Sequence, residues 1–187
     1  GYFMKTEYEK QQCGDFYNSS DKEIVKLQLK SRKYQAKFNK ELNRKKRFNI
    51  LKKWLGEIQE NSYIEPNFFC DFGCHLFLGK NVYINTNCTI LDSAKVTIGD
   101  YTMIGPNVQI CTPGHPIKPD ERKGEKCEFA KPINIGANCW LGAGVIILPN
   151  ITIGEGSVIG AGSIVTKDIP PHSVAVGNPC KVIKSVD

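Results

Sequence analysis

Only three histidines occur in the 187 residues, which limits the proton chemistry open to the chain near neutral pH. His75 and His172 stand near the two ends of a long aliphatic region. His115 sits apart in the run TPGHP, framed by Gly114 and Pro116 within a stretch rich in proline. A neutral imidazole fixed at the tip of a projecting loop could act as general base toward an alcohol, a role typically worth about a hundredfold to ten-thousandfold in rate. The plain alternative is a surface or structural histidine. A three-histidine zinc site would be competing chemistry, but its ligands should lie close in sequence, whereas these histidines are some forty or more residues apart. No metal is therefore expected. A GxSxG elbow and a Walker loop are both lacking. The pairs Gly142/Gly144, Gly154/Gly156 and Gly160/Gly162 miss the third glycine of a dinucleotide fingerprint. Eight cysteines form no CxxC pair and show no metal-ligand spacing, so they read as reduced and structural in a cytoplasmic protein.

What must position His115 is the region around it. From Ile135 to Val165 an aliphatic residue recurs every six positions, at Ile135, Leu141, Ile147, Ile153, Ile159 and Val165. Six is a multiple of the strand period and not of the helical 3.6, so each unit is an extended side plus a turn, and three units make one triangular coil. The position four residues after each lead aliphatic is small or apolar (Cys139, Val145, Ile151, Ser157, Ser163, Ile169). This suits a second inward place in a narrow prism. Glycine and asparagine follow the lead residues where corners need unusual backbone angles. The pattern is that of a hexapeptide parallel β-helix, an all-β solenoid whose coils bury one another's stacks. The repeats are traced from Phe72 through Leu78, Ile84 and Ile90, slip by two residues after Val96, and break at a long inserted loop, 111–131. A loop of that length inside a compact repeat is usually functional or disordered. From Ile169 the chain leaves as a closing strand or tail.

Two amphipathic helices are expected ahead of the solenoid. Ser20 reads as N-cap of the first, with Glu23 completing a capping box and Ile24, Leu27, Ser31, Tyr34, Phe38 and Leu42 as its stripe. Phe48, Leu51, Leu55 and Ile58 mark the second, with Gly56 weakening its last turn. The chain thus divides into a helical cap region, 1–61, and the β-helix with its loop and tail, 62–187. The net charge of +6 is concentrated on the helices, where thirteen Lys and Arg between Asp21 and Lys53 face only three acids. An apolar stripe interrupts this run and no nucleic-acid motif accompanies it, so it reads as a solvated helix face. No apolar run is long enough to span a bilayer. The start is too polar for a signal peptide, and Gly1–Phe3 ahead of Met4 read as an expression remnant.

The segments LGKNVYINTNCTILDSAKVTIGDYTMIGPNVQICTPGHP and INIGANCWLGAGVIILPNITIGEGSVIGAGSIVTKDIPPHSVAVGNPCKVI resemble the maltose and galactoside O-acetyltransferases of the hexapeptide-repeat acyltransferase family. The text EYEKQQCGDFYNSSDKEI resembles the start of the maltose type. The resemblance implies a left-handed β-helix, a homotrimer with active sites between subunits, acetyl-CoA as donor and a small sugar as acceptor. It also implies His115 as the base that takes the acceptor's proton during direct transfer. By the same resemblance Asn85, Asp71, Asp92, Ser93 and Glu128 fall at or near acceptor positions, with Asp71 or Asp92 either touching the acceptor or orienting the histidine. Trp140, Gly142, Ala143, Ala161, Thr166, Lys167 and Lys181 match positions along the groove for CoA. Galactoside-type enzymes carry serine in place of Asp71 and aspartate in place of Ser93, which favours the maltose-like branch. Serine, an amino sugar or an antibiotic stays open as acceptor, and a non-enzymatic solenoid is the rival from another class.

Overall fold

The computed structural model describes residues 4–187; the remnant proposed before Met4 lies outside the described residues. The expected solenoid is what the chain builds. Its three walls are parallel sheets, each contributed one strand at a time by successive coils. The first wall holds Glu57–Ile58, Leu76–Leu78, Val96–Ile98, Ile133–Ile135 and Thr152–Ile153. The second holds Tyr63–Ile64, Tyr83–Ile84, Met103–Ile104, Trp140–Leu141, Val158–Ile159 and Ser173–Val176, and Lys181–Ser185 closes it antiparallel. The third holds Phe68–Cys70, Cys88–Leu91, Gln109–Cys111, Ile146–Ile147 and Ile164–Val165.

Register follows the six-residue period. Ile58, Leu78, Ile98, Ile135 and Ile153 stack in one column. Ile64, Ile84, Ile104, Leu141, Ile159 and Ala175 form the second, and Cys70, Ile90, Ile110, Ile147 and Val165 the third. The intervening inward positions are closed as well, Cys139, Val145, Ile151, Ser157, Ser163 and Ile169 all being buried. Corners take two kinds of residue for two reasons. Asn138 and Gly144 turn with positive φ. Gly142 does not, but a Cβ there would stand 2.6 Å from the Ala161 nitrogen of the next coil, so close stacking of backbones requires its hydrogen.

Several expectations need correction. The repeat begins a full coil before Phe72, with Ile58, Ile64 and Cys70 as lead residues. Aromatic neighbours and a cysteine hid that coil from an aliphatic count. Phe72 belongs instead to a corner excursion, 71–75, which stacks on an equivalent excursion, 91–95, through a bond from Phe72 N to Asp92 Oδ1 of 2.8 Å. The two-residue slip is therefore made twice at one corner, from Cys70 to Leu78 and from Ile90 to Ile98.

Among the described residues three helices, not two, precede the coils: α1 (Glu7–Cys13), α2 (Lys22–Lys40) and α3 (Arg44–Trp54). The first is too short to show a stripe; Thr6 caps it, and Gly14 ends it in the left-handed region. Asp21, not Ser20, caps α2, accepting from the backbone of Glu23 and Ile24, since a carboxylate is the stronger acceptor at a helix start. Leu42 lies beyond α2 and is 86% exposed, and Ile58 is a strand residue. Gly56 lies past α3, where a Cβ would meet the Cys74 carbonyl. Helices and coils share one hydrophobic core, with Phe38, Leu51 and Trp54 continuous with Phe68 and the columns above.

The long loop is partly ordered by its own pairing. Pro113–Gly114 runs antiparallel to Phe129–Ala130 as a stalk, and a short 3-10 turn, Pro119–Arg122, lies at its tip. All eight cysteines are unpaired, with Cys88 and Cys139 buried on the inward positions expected of them. Among the described residues no helix is long and apolar enough to cross a membrane.

Candidate functional site

His115 follows directly from the stalk strand Pro113–Gly114, so the hairpin sets where its backbone leaves the solenoid. Its Nδ1 lies 2.7 Å from the Cys127 carbonyl oxygen. A carbonyl can only accept, so Nδ1 carries the proton and donates, which leaves Nε2 with a free lone pair. The side chain is 53% exposed and Nε2 stands 4.0 Å from Glu128 Oε1. This is the arrangement a general base needs: a fixed tautomer, an open acceptor nitrogen and access from solvent. Glu128 is itself held. Its Oε2 accepts from the Tyr17 hydroxyl, and its carbonyl accepts from Tyr17 N at 2.9 Å.

A second feature lies on another edge. Where the second wall turns into the third, small residues leave a groove of about 490 Å³ lined by Asn85, Gly105, Trp140, Gly142, Ala143 and Ala161. Trp140 and Met103 are more than half exposed beside it. The groove follows from the sequence pattern, because a corner that admits only glycine or alanine cannot fill its own outer surface. It can take an extended, largely apolar chain against backbone. Trp140, Gly142, Ala143 and Ala161, which the sequence assigns to the cofactor, are brought together here. Lys181 pairs with Val176, whose Cγ1 would lie 2.6 Å from a Cβ on Gly160 at the groove wall. Thr166 and Lys167 are exposed at the corner between third and first walls and do not line the groove. Tyr83 and Met103 do line it and were not marked by the hexads, since outward positions carry no periodic signal.

The acceptor candidates divide between the edges. Asn85 belongs to the groove, its Oδ1 accepting from Thr86 N at 2.7 Å. Asp71, Asp92, Ser93 and Glu128 share the edge of His115. Arg32 Nη2 pairs with Asp71 Oδ1 at 2.7 Å, and Gln28 reaches the same oxygen at 3.2 Å. Asp92 is fully enclosed, with Oδ1 bonded to Phe72 N and Oδ2 without a partner. Desolvation pushes its carboxyl pKa up to about 6. The histidine it orients is His75, whose Nδ1 lies 2.7 Å from the Asp92 carbonyl; His115 is oriented by Cys127. Ser93 is buried, its carbonyl accepting from Gln12 Nε2 at 2.9 Å. His75 is buried and completes its bonding at Tyr8, while His172 turns a corner with positive φ. Among the described residues no group of three or more His, Cys, Asp or Glu is placed to hold a metal ion.

His115 and the groove do not meet within one chain. On a single coil, Asn85 and Asp92 are seven residues apart across the third wall. At about 3.3 Å per residue that is roughly 20 Å. Base and groove therefore lie on different edges of the prism.

Residues 132–167 match the family model for the bacterial transferase hexapeptide, six repeats. Residues 12–59 match the maltose acetyltransferase hexapeptide capping motif. The galactoside O-acetyltransferase of Escherichia coli K12 is 48% identical over 143 residues, covering 76% of this chain and 70% of that protein. A crystal structure of a maltose O-acetyltransferase from Clostridium difficile 630 superposes with a TM-score of 0.93 at 45% identity, covering 98% of both chains. A galactoside acetyltransferase in complex with coenzyme A superposes with a TM-score of 0.94 at 38% identity, covering 98% of this chain and 92% of that one.

Proposed function

This chain belongs to the hexapeptide-repeat acetyltransferases of the maltose and galactoside type, and from that premise we propose that it moves acetyl from acetyl-CoA to a hydroxyl of a small maltose- or glucose-like sugar, with His115 as the base. The observation that carries the base assignment is the bond from His115 Nδ1 to the Cys127 carbonyl, which commits one ring nitrogen and frees the other. Nε2 takes the proton of the acceptor hydroxyl as that oxygen attacks the thioester carbonyl carbon, and returns it to sulfur as the carbon–sulfur bond breaks. The proton balance closes without a covalent enzyme intermediate.

The groove supports CoA as donor on its own shape. Its backbone-lined floor admits the extended pantetheine arm, and Trp140 offers an exposed ring beside it. Lys181 at the groove wall, with Thr166 and Lys167 of a neighbouring copy, supplies polar and cationic contact to the nucleotide and its phosphates. Asn85 sits where groove and acceptor meet, while Asp71 and Glu128 frame the acceptor from the histidine's edge and the buried Ser93 stands behind them. Because base and groove occupy different edges, we infer a homotrimer with a site at each of its three interfaces, as its triangular prism favours.

The test is chromatographic measurement of free CoA released from acetyl-CoA with glucose, maltose, a galactoside, serine or an aminoglycoside as acceptor. His115→Ala should retain the fold and lose about a hundredfold to ten-thousandfold of acceptor-dependent release. Turnover at the wild-type rate in that variant would refute the assigned role. Strong release with serine or the aminoglycoside, and none with sugars, would keep the reaction and replace the acceptor.

A further inference from the structure

One enclosed residue holds the glutamate that stands beside the base twice, once at its backbone carbonyl and once at its carboxylate. Tyr17 is completely buried, packed with Phe72, Ala94 and Ala130 where the segment after α1 crosses the corner excursions. It bonds Glu128 through both its backbone nitrogen and its hydroxyl. The segment is tied down separately, since Lys131 Nζ bonds the Gly14 carbonyl at 3.0 Å and Gln12 bonds Ser93. Burial, and then the Glu128 contact, keep the phenol protonated far above its ordinary range, so Tyr17 donates throughout the working pH range.

With Oε2 committed to Tyr17, Oε1 is left pointing at the base. It is 4.0 Å from His115 Nε2, too far for a hydrogen bond between them, and Nδ1 of the same ring is already spent on Cys127. Two unpaired acceptors of different chemistry therefore stand side by side. A simple alcohol, with one O–H, can satisfy only one of them, whereas a water can bridge both. An acceptor that displaces such a water and satisfies both sites brings two hydroxyls about 3–5 Å apart, the spacing of hydroxyls on neighbouring or next-neighbouring carbons.

Resting on the acetyl-transfer reading above, we propose that Tyr17 is a positioning residue that holds Glu128 beside His115, so that the acceptor is selected for a second hydroxyl near the one acetylated. Glu128 touches the acceptor; Tyr17 acts only through Glu128.

The experiment uses methyl glucoside and its full set of monodeoxy analogues with wild type, Tyr17→Phe and Glu128→Gln, reading kcat and KM for acetyl transfer. Removing the attacked hydroxyl should abolish transfer by wild type. Removing one hydroxyl near it should lower kcat/KM roughly 10- to 100-fold, the usual consequence of leaving a charged acceptor unpaired. In both variants the parent sugar should weaken by a similar factor, chiefly in KM, while that second analogue changes little, so the ratio falls below about threefold. Tyr17→Phe keeps the ring that packs the corner, and an unchanged thermal midpoint would verify its fold. Variants that weaken parent and analogue alike would reduce Tyr17 to a structural role and overturn the inference, as would a wild type indifferent to every second hydroxyl. If wild type acetylates none of the sugars, the acetyl-transfer reading fails for polyols and this inference goes with it.

Discussion

His115 depends on a neighbour that the hexads could not announce. The sequence isolates it in TPGHP, but the Cys127 carbonyl that fixes its tautomer comes from the far side of the loop, twelve residues on. The buried pair Asp92 and His75 shows how residue-scale environment also sets stability. Burial raises the Asp92 pKa to about 6 from an ordinary 3.8, so the folded protein holds that proton more tightly than the unfolded chain does. Its contribution is complete below pH 3.8 and is lost as pH rises through about 6. His75 has the opposite sense: burial lowers its pKa from 6.5, so stability is lost as the pH falls below that ordinary value. Wild type should therefore lose stability relative to Asp92→Asn between about pH 4 and 6.5 and run parallel to it above. Denaturant midpoints across that range would test this, and parallel curves throughout would mean that Asp92 titrates normally.

The helices are joined to the first coil by a polar link within an apolar core. Ser31 on α2 is 1% exposed, donates to the Cys70 carbonyl at 2.7 Å and accepts from Trp54 Nε1 at 2.9 Å. Ser31→Ala would strand an indole N–H in the core, at a cost of about 1–3 kcal/mol. For a domain of this size that should lower the thermal midpoint by several degrees. Leu42→Ala, a core change if the sequence stripe ran on, should stay within about 0.5 kcal/mol because Leu42 lies in solvent. Calorimetry on the two variants separates the stripe as read from the helix as built; equal losses would contradict the structure. The helical period was legible at Ile24, Ser31 and Phe38, all buried. Its ends were not, since a strand residue such as Ile58 can continue a 3.6 pattern by chance.

Across the whole molecule the base and the groove lie on different edges of the prism. Each active site should then need two copies, and variants damaged in opposite halves should complement. His115→Ala mixed in equal amounts with a groove-filling Ala143→Trp, after denaturation and joint refolding, should recover up to about a quarter of wild-type sites by random assembly. Each variant refolded alone should stay inactive. No recovery from the mixture, with oligomers of mixed composition demonstrated, would place base and groove of each site in one chain.

The six-residue period by itself determined the solenoid, its inward residues and the break that carries His115, because a stacked coil repeats the same environment at every sixth position. Trp140, Gly142, Ala143 and Ala161 could be tied to one corner on that basis. The first coil escaped notice where Cys70 replaced an aliphatic, and α1 because seven residues carry too little pattern. Only the tertiary structure decided what faces His115. Tyr17 and Glu128 are 111 residues apart and meet because the segment between α1 and α2 folds back over corner excursions made by two separate coils. Contacts between non-repeating segments follow no period, so the packing of the chain alone sets them.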